Sequence, residues 1–304
     1  MYLFDFFKNV FRKANVPIMI YLVLNAVLIT LILNVAAYDS VGQSIFWGIV
    51  LYLVSLAVGI SPIGEAILRF QTGCRKIKDP SVREYIQPIF DEVYQKARAH
   101  DPSIPDDVKL YMNDSRDVNA FATGRKTVCM TRGMLNEDPR LIKAALGHEM
   151  GHLAHHDTDL ILLITVSNFF ASFLFLLIRI AAKAVSGFGL VFALLSGHQG
   201  DDSGFFAGLF IKLGGWIADL LTVVVMNLWS KIGILLVMKS SRDKEYEADK
   251  FSFELGYGVP LCHLLNSFPA NEEVGLFRNL MNSHPDKEDR INHLRQLDVN
   301  YRIM

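Results

Sequence analysis

With 51% hydrophobic and 20% charged residues over 304 positions, the chain is too apolar for an ordinary water-soluble enzyme. Thirty basic residues against 31 acidic ones leave a formal net charge of -1, which argues against nucleic acid or any other polyanion as partner. Cys74, Cys129 and Cys262 lie far apart and in no CxxC pair, excluding a disulfide framework and a cysteine-based zinc site and fitting a reducing compartment.

A membrane-crossing helix needs about 20 mostly apolar residues, because the hydrocarbon layer is about 30 Å thick. Residues 17–36 and 44–60 carry no charge and read as a pair of spans. The first has no convincing cleavage site and a second span follows at once, so it reads as a retained anchor rather than a signal peptide. A soluble piece over 70–159 follows, with a helix at 82–99, short strands around "VKLYM", "DVNAFATG" and "TVCMT", and a helix from Pro139 through His156 that "NEDPR" starts. Residues 160–182 read as a third span. The fourth falls within 213–238, interrupted by Asp219 and Lys231, and "GHQGDDSG" at 197–204 reads as the loop between them. A second soluble piece runs from 239 to 304 and is expected to fold with the first. Lys8, Arg12 and Lys13 before the first span and Arg69, Arg75, Lys76 and Lys78 after the second place both ends of that hairpin in the cytoplasm. Lys239, Arg242 and Lys244 agree, while Arg179, Lys183 and Lys212 near the outer loop run against the rule.

The densest chemistry is "LGHEMGHLAHHD" at 146–157. Residues four apart share a helix face, so His148 and His152 aim two imidazoles at one point with Glu149 beside them, the HExxH spacing. Zinc takes neutral imidazole nitrogens, and three protein ligands leave a position for a water whose pKa falls to about 7. His155 stands about 10 Å further along the axis than His148, too far to share the ion, and reads with His156 as solvated or interfacial. A continuation HExxHxxGxxH is excluded, since His155 and Thr158 occupy the glycine and final histidine positions. A glutamate about twenty residues downstream is excluded too, because Ser172 stands there. The third ligand is therefore sought beyond the membrane segments, in "SRDKEYEADKF" at 241–251. There Glu245 and Asp249 share a face, Ala248 permits close approach and Glu247 points away. Glu245 is the candidate ligand and Asp249 the candidate acceptor that fixes a ligand histidine's ring, although spacing alone leaves a solvated, charged helix equally open.

HExxH, a membrane insertion and then "RDKEYEAD" together resemble the HtpX-type membrane metalloproteases, relatives of the CAAX prenyl proteases. The resemblance extends over nearly the whole chain through "VNAFATG" (118–124), "VCMTRGML" (128–135), "SNFFASFLFLLIRI" (167–180) and "SHPDKEDRINHL" (283–294). It implies an α+β zincin-like metalloprotease domain fused to an α-helical membrane domain of about four spans. That divides the chain into 1–69 and 160–238 in the membrane and 70–159 and 239–304 as two parts of a cytoplasmic protease. It implies one catalytic Zn2+ held by His148, His152 and Glu245, in a bacterial inner-membrane endopeptidase with a cytoplasmic active site. Its substrates would be damaged, misassembled or unfolded membrane proteins met at the lipid bilayer. Glu149 would act as general base and then as proton donor to the leaving amine. His284 is the candidate for holding the developing oxyanion, against a plain loop histidine before a proline, and Arg290 reads as structural. Asn119, Ala120, Phe121 and Ala122 would form an edge strand whose backbone pairs with extended substrate. His155 and the 197–208 loop depart from the family pattern. A zinc-bound membrane scaffold without activity is the alternative, and a transporter using Asp219 and Lys231 as a polar path is a further one. Natural substrates and oligomeric state are not legible in the sequence.

Overall fold

The computed structural model describes residues 16–36, 40–198, 202–268, 287–297 and 299. Two compact units divide the chain: Met1–Leu22, Leu56–Val166 and Leu236–Met304 form the first, Val23–Ser55 and Ser167–Leu235 the second.

The first helices are α1 (Val16–Ala36) and α2 (Val41–Ile60). Ser61 then caps α3 (Pro62–Gln71), its hydroxyl accepting from the Ile63 and Gly64 amides with Pro62 at the first helical position. In the first unit follow α4 (Pro80–His100), β1 (Lys109–Asn113), β2 (Ala120–Thr123), β3 (Thr127–Thr131) and α5 (Pro139–Ala154). The sheet order is β1-β3-β2, with β1 parallel and β2 antiparallel to β3. β3 is buried along its whole length, and β2 is the last strand of the sheet. α5 starts as its sequence predicts: Asp138 accepts from the Arg140 amide, and Pro139, which has no N–H to leave unsatisfied, opens the helix. It ends where His156 takes a left-handed φ of 58°, rare outside glycine. Its inner face buries Ile142, Leu146 and Met150 against a core with Phe90, Val93, Met130 and Leu294.

Two long helices, α6 (Asp157–His198) and α7 (Asp202–Ser252), carry the rest of the second unit and return to the first. A π turn (Phe253–Tyr257), α8 (Gly258–Ser267) and α9 (Lys287–Gln296) complete the described chain. Among the described residues, three helical stretches are long and apolar enough to cross a membrane, Val41–Gly59, Ala171–His198 and Asp202–Trp229, with a shorter apolar helix at Met19–Asn34. α6 continues past the expected 160–182 to His198 and α7 begins ahead of the expected 213–238 at Asp202, while residues 199–201 of the loop expected at 197–204 lie outside the described residues.

Glycines bring α6 and α7 close together. A Cβ on Gly208 would stand 2.5 Å from the Ala193 amide nitrogen, and one on Gly215 would stand 2.6 Å from the Ala182 carbonyl. Such close backbone approach is how helices associate in lipid, where no hydrophobic effect drives them together. Asp219 accepts from Arg179 at 2.7 Å rather than pairing with Lys231, which removes the polar path on which a transporter reading depended. Arg179 and Lys183 therefore sit inside a helix and not beside a loop, so they do not count in the orientation rule.

Candidate metal-dependent active site

α5 carries His148, Glu149 and His152, and its glycines decide what reaches them. A Cβ on Gly151 would lie 2.8 Å from Ala248 Cα, and one on Gly147 3.0 Å from Ser252 Oγ. The end of α7 therefore lies directly on α5, and Ser252 Oγ donates to the Ala144 carbonyl at 3.0 Å. This approach brings Glu245 to the imidazoles: Oε2 is 3.3 Å from His148 Nε2 and Oε1 is 3.4 Å from His152 Nε2. One donor atom from each of the three residues falls within 4.8 Å of the others.

The donor set fits a metal ion. Ligand atoms each about 2.0–2.2 Å from a tetrahedral ion are about 3.4 Å apart, the separation seen between the carboxylate oxygens and the ring nitrogens. The far ring nitrogens are also engaged. His148 Nδ1 donates to Asp249 Oδ1 at 2.9 Å, and His152 Nδ1 donates to Asp157 Oδ2 at 3.3 Å. Protons held on both Nδ1 atoms leave both Nε2 lone pairs facing the Glu245 carboxylate, an arrangement that calls for a cation between them. Formal charge points the same way. Among the described residues, the carboxylates of Glu149, Glu245, Asp249 and Asp157 gather here with Arg290 and Lys244 as cationic neighbours, surroundings that favour a bound cation.

The titration directions carry the same imprint. Burial and the Arg290 guanidinium press the His148 imidazole down, yet its hydrogen bonds to Asp249 and Glu245 hold it above its ordinary value. His152 is pushed down by burial but held well above its ordinary value by Glu245 and Asp157. Without metal, protons supply the missing positive charge. Burial raises the Asp249 carboxyl, but Arg290 outweighs it and holds the group at about 2.

Arg290 comes from α9. Its Nε donates to Asp249 Oδ2 at 2.8 Å, Nη2 donates to Oδ1, and Nη1 is 3.3 Å from Glu245 Oε2. The side chain is 4% exposed, so the ion cluster is screened from water and its hydrogen bonds count at close to full strength. Arg290, read from the sequence as structural, neutralises the two carboxylates that face the imidazoles. Asp157, read as a step into a span, reaches back to His152 through the reversal at His156. His155 is half-buried with its ring centroid 6.2 Å from that of Phe251, a packing position rather than a ligand position.

The expected strand residues are also near. Glu149 Oε2 accepts from the Ala122 amide at 2.6 Å. Asn119 and Ala120 line a cleft with Met134, His148, Glu149, Leu261, Leu264, Leu265, Phe268 and Arg290. The Asn119 amide donates to Thr131 Oγ1 at 2.9 Å and its carbonyl accepts from the Thr131 amide, while Phe121 pairs with Cys129 in the β2–β3 register. The apolar wall from α8 and Phe268 gave no sequence signal beyond an apolar helix pattern. His284 lies outside the described residues.

The sequence profile of peptidase family M48 matches residues 80–298. The chain belongs to this family. An M48 relative, a protease HtpX homolog from Desulfotalea psychrophila, is 27% identical over 296 residues, covering 87% of this chain and 92% of the relative. A second HtpX homolog, from Bacillus licheniformis, is 27% identical over 228 residues, 68% of this chain and 69% of that one. The crystal structure of Ste24p from S. mikatae matches with a TM-score of 0.42 and 18% identity, over 89% of this chain and 61% of that protein's length. This M48 protein is a metallopeptidase that carries helices of membrane-crossing length.

Proposed function

We propose that the chain is a membrane-integrated zinc endopeptidase that cleaves damaged or misassembled membrane proteins at the cytoplasmic face of a bacterial inner membrane. In this reading α1 joins the three longer apolar helices as a fourth span. His148, His152 and Glu245 hold one Zn2+, and Asp249 and Asp157 fix the two rings. The observation that carries the proposal is the convergence of two Nε2 atoms and one carboxylate at tetrahedral edge distances beside Glu149.

The ion, when bound, supplies the Lewis acidity that polarises a peptide carbonyl and makes water nucleophilic near neutral pH. Glu149 takes the proton from the attacking water and returns it to the leaving amine. Its Oε2 is held by the Ala122 amide, which leaves the second oxygen for the proton. Because Asn119 and its alternates face β3, Ala120 and Ala122 turn their peptide groups outward; with the Ala122 N–H engaged by Glu149, the Ala120 peptide groups and the Ala122 carbonyl remain for an extended substrate to add as a further strand. Such pairing reads backbone rather than side chains, which suits an enzyme that clears varied unfolded chains. The cleft wall of Leu261, Leu264 and Leu265 then accepts an apolar substrate side chain. His284 remains our candidate oxyanion donor. An inactive scaffold would need no carboxylate at the Glu149 position.

The test is zinc content together with cleavage of an unfolded protein, compared between wild type and Glu149→Gln. Cleavage lost by about 10²–10⁴-fold with zinc retained supports the peptidase. Equal cleavage by both proteins would sink it.

A further inference from the structure

α3 carries two features that the metal centre does not use. Its sequence, PIGEAILRFQ, is amphipathic, and the two faces have different neighbours. Gly64, Glu65 and Leu68 are buried in the first unit, whereas Ile63 is 63% and Phe70 87% exposed, with Ala66 beside them on the same face. An exposed phenylalanine on an otherwise apolar stripe needs a partner.

The chain itself says which. α3 begins one residue after α2, whose Val41–Gly59 stretch is long and apolar enough to cross a membrane. Between them the helix is broken deliberately: Ser61 is extended, its hydroxyl donates to the Val58 carbonyl at 2.6 Å, and Pro62 follows. A Cβ on Gly64 would stand 2.3 Å from the Gly59 carbonyl, so glycine allows α3 to fold tightly against the end of α2. Past its C-terminus come the exposed cations Lys76 and Lys78, suited to anionic headgroups, with Arg75 paired to Asp114 at 3.3 Å. An apolar face, a chain that has just left the hydrocarbon and flanking positive charge are the features of a helix lying in the bilayer surface.

The other face grips the turn between β2 and β3. Glu65 Oε1 accepts from the Lys126 amide at 3.1 Å and from Thr127 Oγ1 at 2.6 Å, and Arg69 donates to the same Thr127 oxygen at 3.1 Å. Gly124, at φ 67°, leaves room for this, since a Cβ there would lie 2.7 Å from Glu65 Cγ. We infer that α3 rests on the lipid surface through Ile63 and Phe70 and, through Glu65, holds the β2–β3 turn and the start of β3, so that the bilayer positions the adjoining substrate-pairing strand β2. The role of β2 in this inference rests on the proposed function, whereas the seating of α3 on lipid does not.

Both halves are measurable on the full chain in phosphatidylethanolamine–phosphatidylglycerol vesicles. The three native cysteines are buried, so Phe70→Cys and, as a water-facing reference, Glu84→Cys can carry a nitroxide. The label at 70 is expected to collide with oxygen in preference to a water-soluble nickel chelate, and the label at 84 to do the reverse. Equal nickel accessibility at both positions overturns the lipid contact. For the latch, Glu65→Gln should speed amide exchange across β2 and its turn by about tenfold and raise KM several-fold, with kcat and zinc content held near wild type. Gly124→Ala presses on the same joint from the strand side and should do the same. Unchanged exchange in both variants, or a fall in zinc content and kcat at constant KM, overturns the latch. Should no variant or wild type cleave anything, the exchange data still decide the latch and the peptidase reading fails alone.

Discussion

Gly151→Ala tests how the two ligand-bearing helices are joined. The new methyl would stand 2.8 Å from Ala248 Cα and 3.0 Å from Phe251 Cβ. Carbon atoms rest about 3.8 Å apart, so α7 must retreat from α5 by about 1 Å. Glu245 lies three residues before Ala248 on the same helix and moves with it, whereas coordination distances tolerate only about 0.2 Å. Two stability effects oppose each other: overpacking costs about 1–3 kcal/mol, and replacing a helical glycine by alanine returns about 1 kcal/mol. The metal-free protein should therefore lose about 2 kcal/mol at most, while zinc affinity falls at least about tenfold. Competition against a chelating indicator gives the affinity, and thermal unfolding in excess chelator gives the stability. A Gly151→Ala protein that holds zinc as tightly as wild type would refute the argument that close backbone approach places Glu245.

Arg290→Leu strands the Asp249 and Glu245 carboxylates in a buried site, and denaturant unfolding should show a loss of about 3–5 kcal/mol. Asp249→Asn weakens the acceptor that sets the His148 ring, and indicator competition should show zinc affinity down about 10–100-fold. Ala122→Pro removes the N–H that holds Glu149; kcat should fall about tenfold or more while zinc affinity stays constant. Zinc must displace any protons that His148 and His152 retain through their raised pKa values, so calorimetry in buffers of differing ionisation enthalpy should find net proton release on zinc binding, shrinking as pH rises. The imidazolium pairs stabilise the metal-free protein below the ordinary histidine range and lose that effect as pH rises through the raised values, whereas zinc binding tightens over the same rise.

What could be read from the sequence depended on whether the signal was local. β3 and the start of α5 follow from a short run of strand-favouring residues and from the Asp–Pro pair, both effects of neighbouring residues. His148 and His152 share a face because helical spacing is local as well. Glu245 was reachable only as one of two readings, because a charged stretch looks the same whether it faces water or an ion. The partners of Arg290 and Asp157 were not legible for a different reason. Each gains its role from a contact across the fold, one through α9 against Asp249 and one through a left-handed residue that no pattern announces. The close packing of α6 on α7 at Gly189, Gly208 and Gly215 was not legible, because sequence does not show which glycines a neighbouring helix approaches. Glu65 gave no signal, being one carboxylate on a short helix.

The failure of every fixed-spacing rule for the third ligand has a physical basis. His152 and Glu245 are 93 positions apart, and the chain between them leaves the first unit at residue 167 and rejoins it at 236. Loop-closure entropy grows only with the logarithm of length, so doubling such an excursion costs about 0.6 kcal/mol. The contacts that close it are local to its ends: Asp157 pairs with Lys244 at 3.4 Å, Gly151 abuts Ala248, and Ser252 bonds Ala144. These contacts fix Glu245 whatever the inserted segment contains, so the number of residues between the HExxH helix and its third ligand is only weakly constrained. The residues at the two ends are strongly constrained. The informative sequence feature is then the pairing of small residues one turn apart on both helices, Gly147 and Gly151 against Ala248 and Ser252, rather than any count between them.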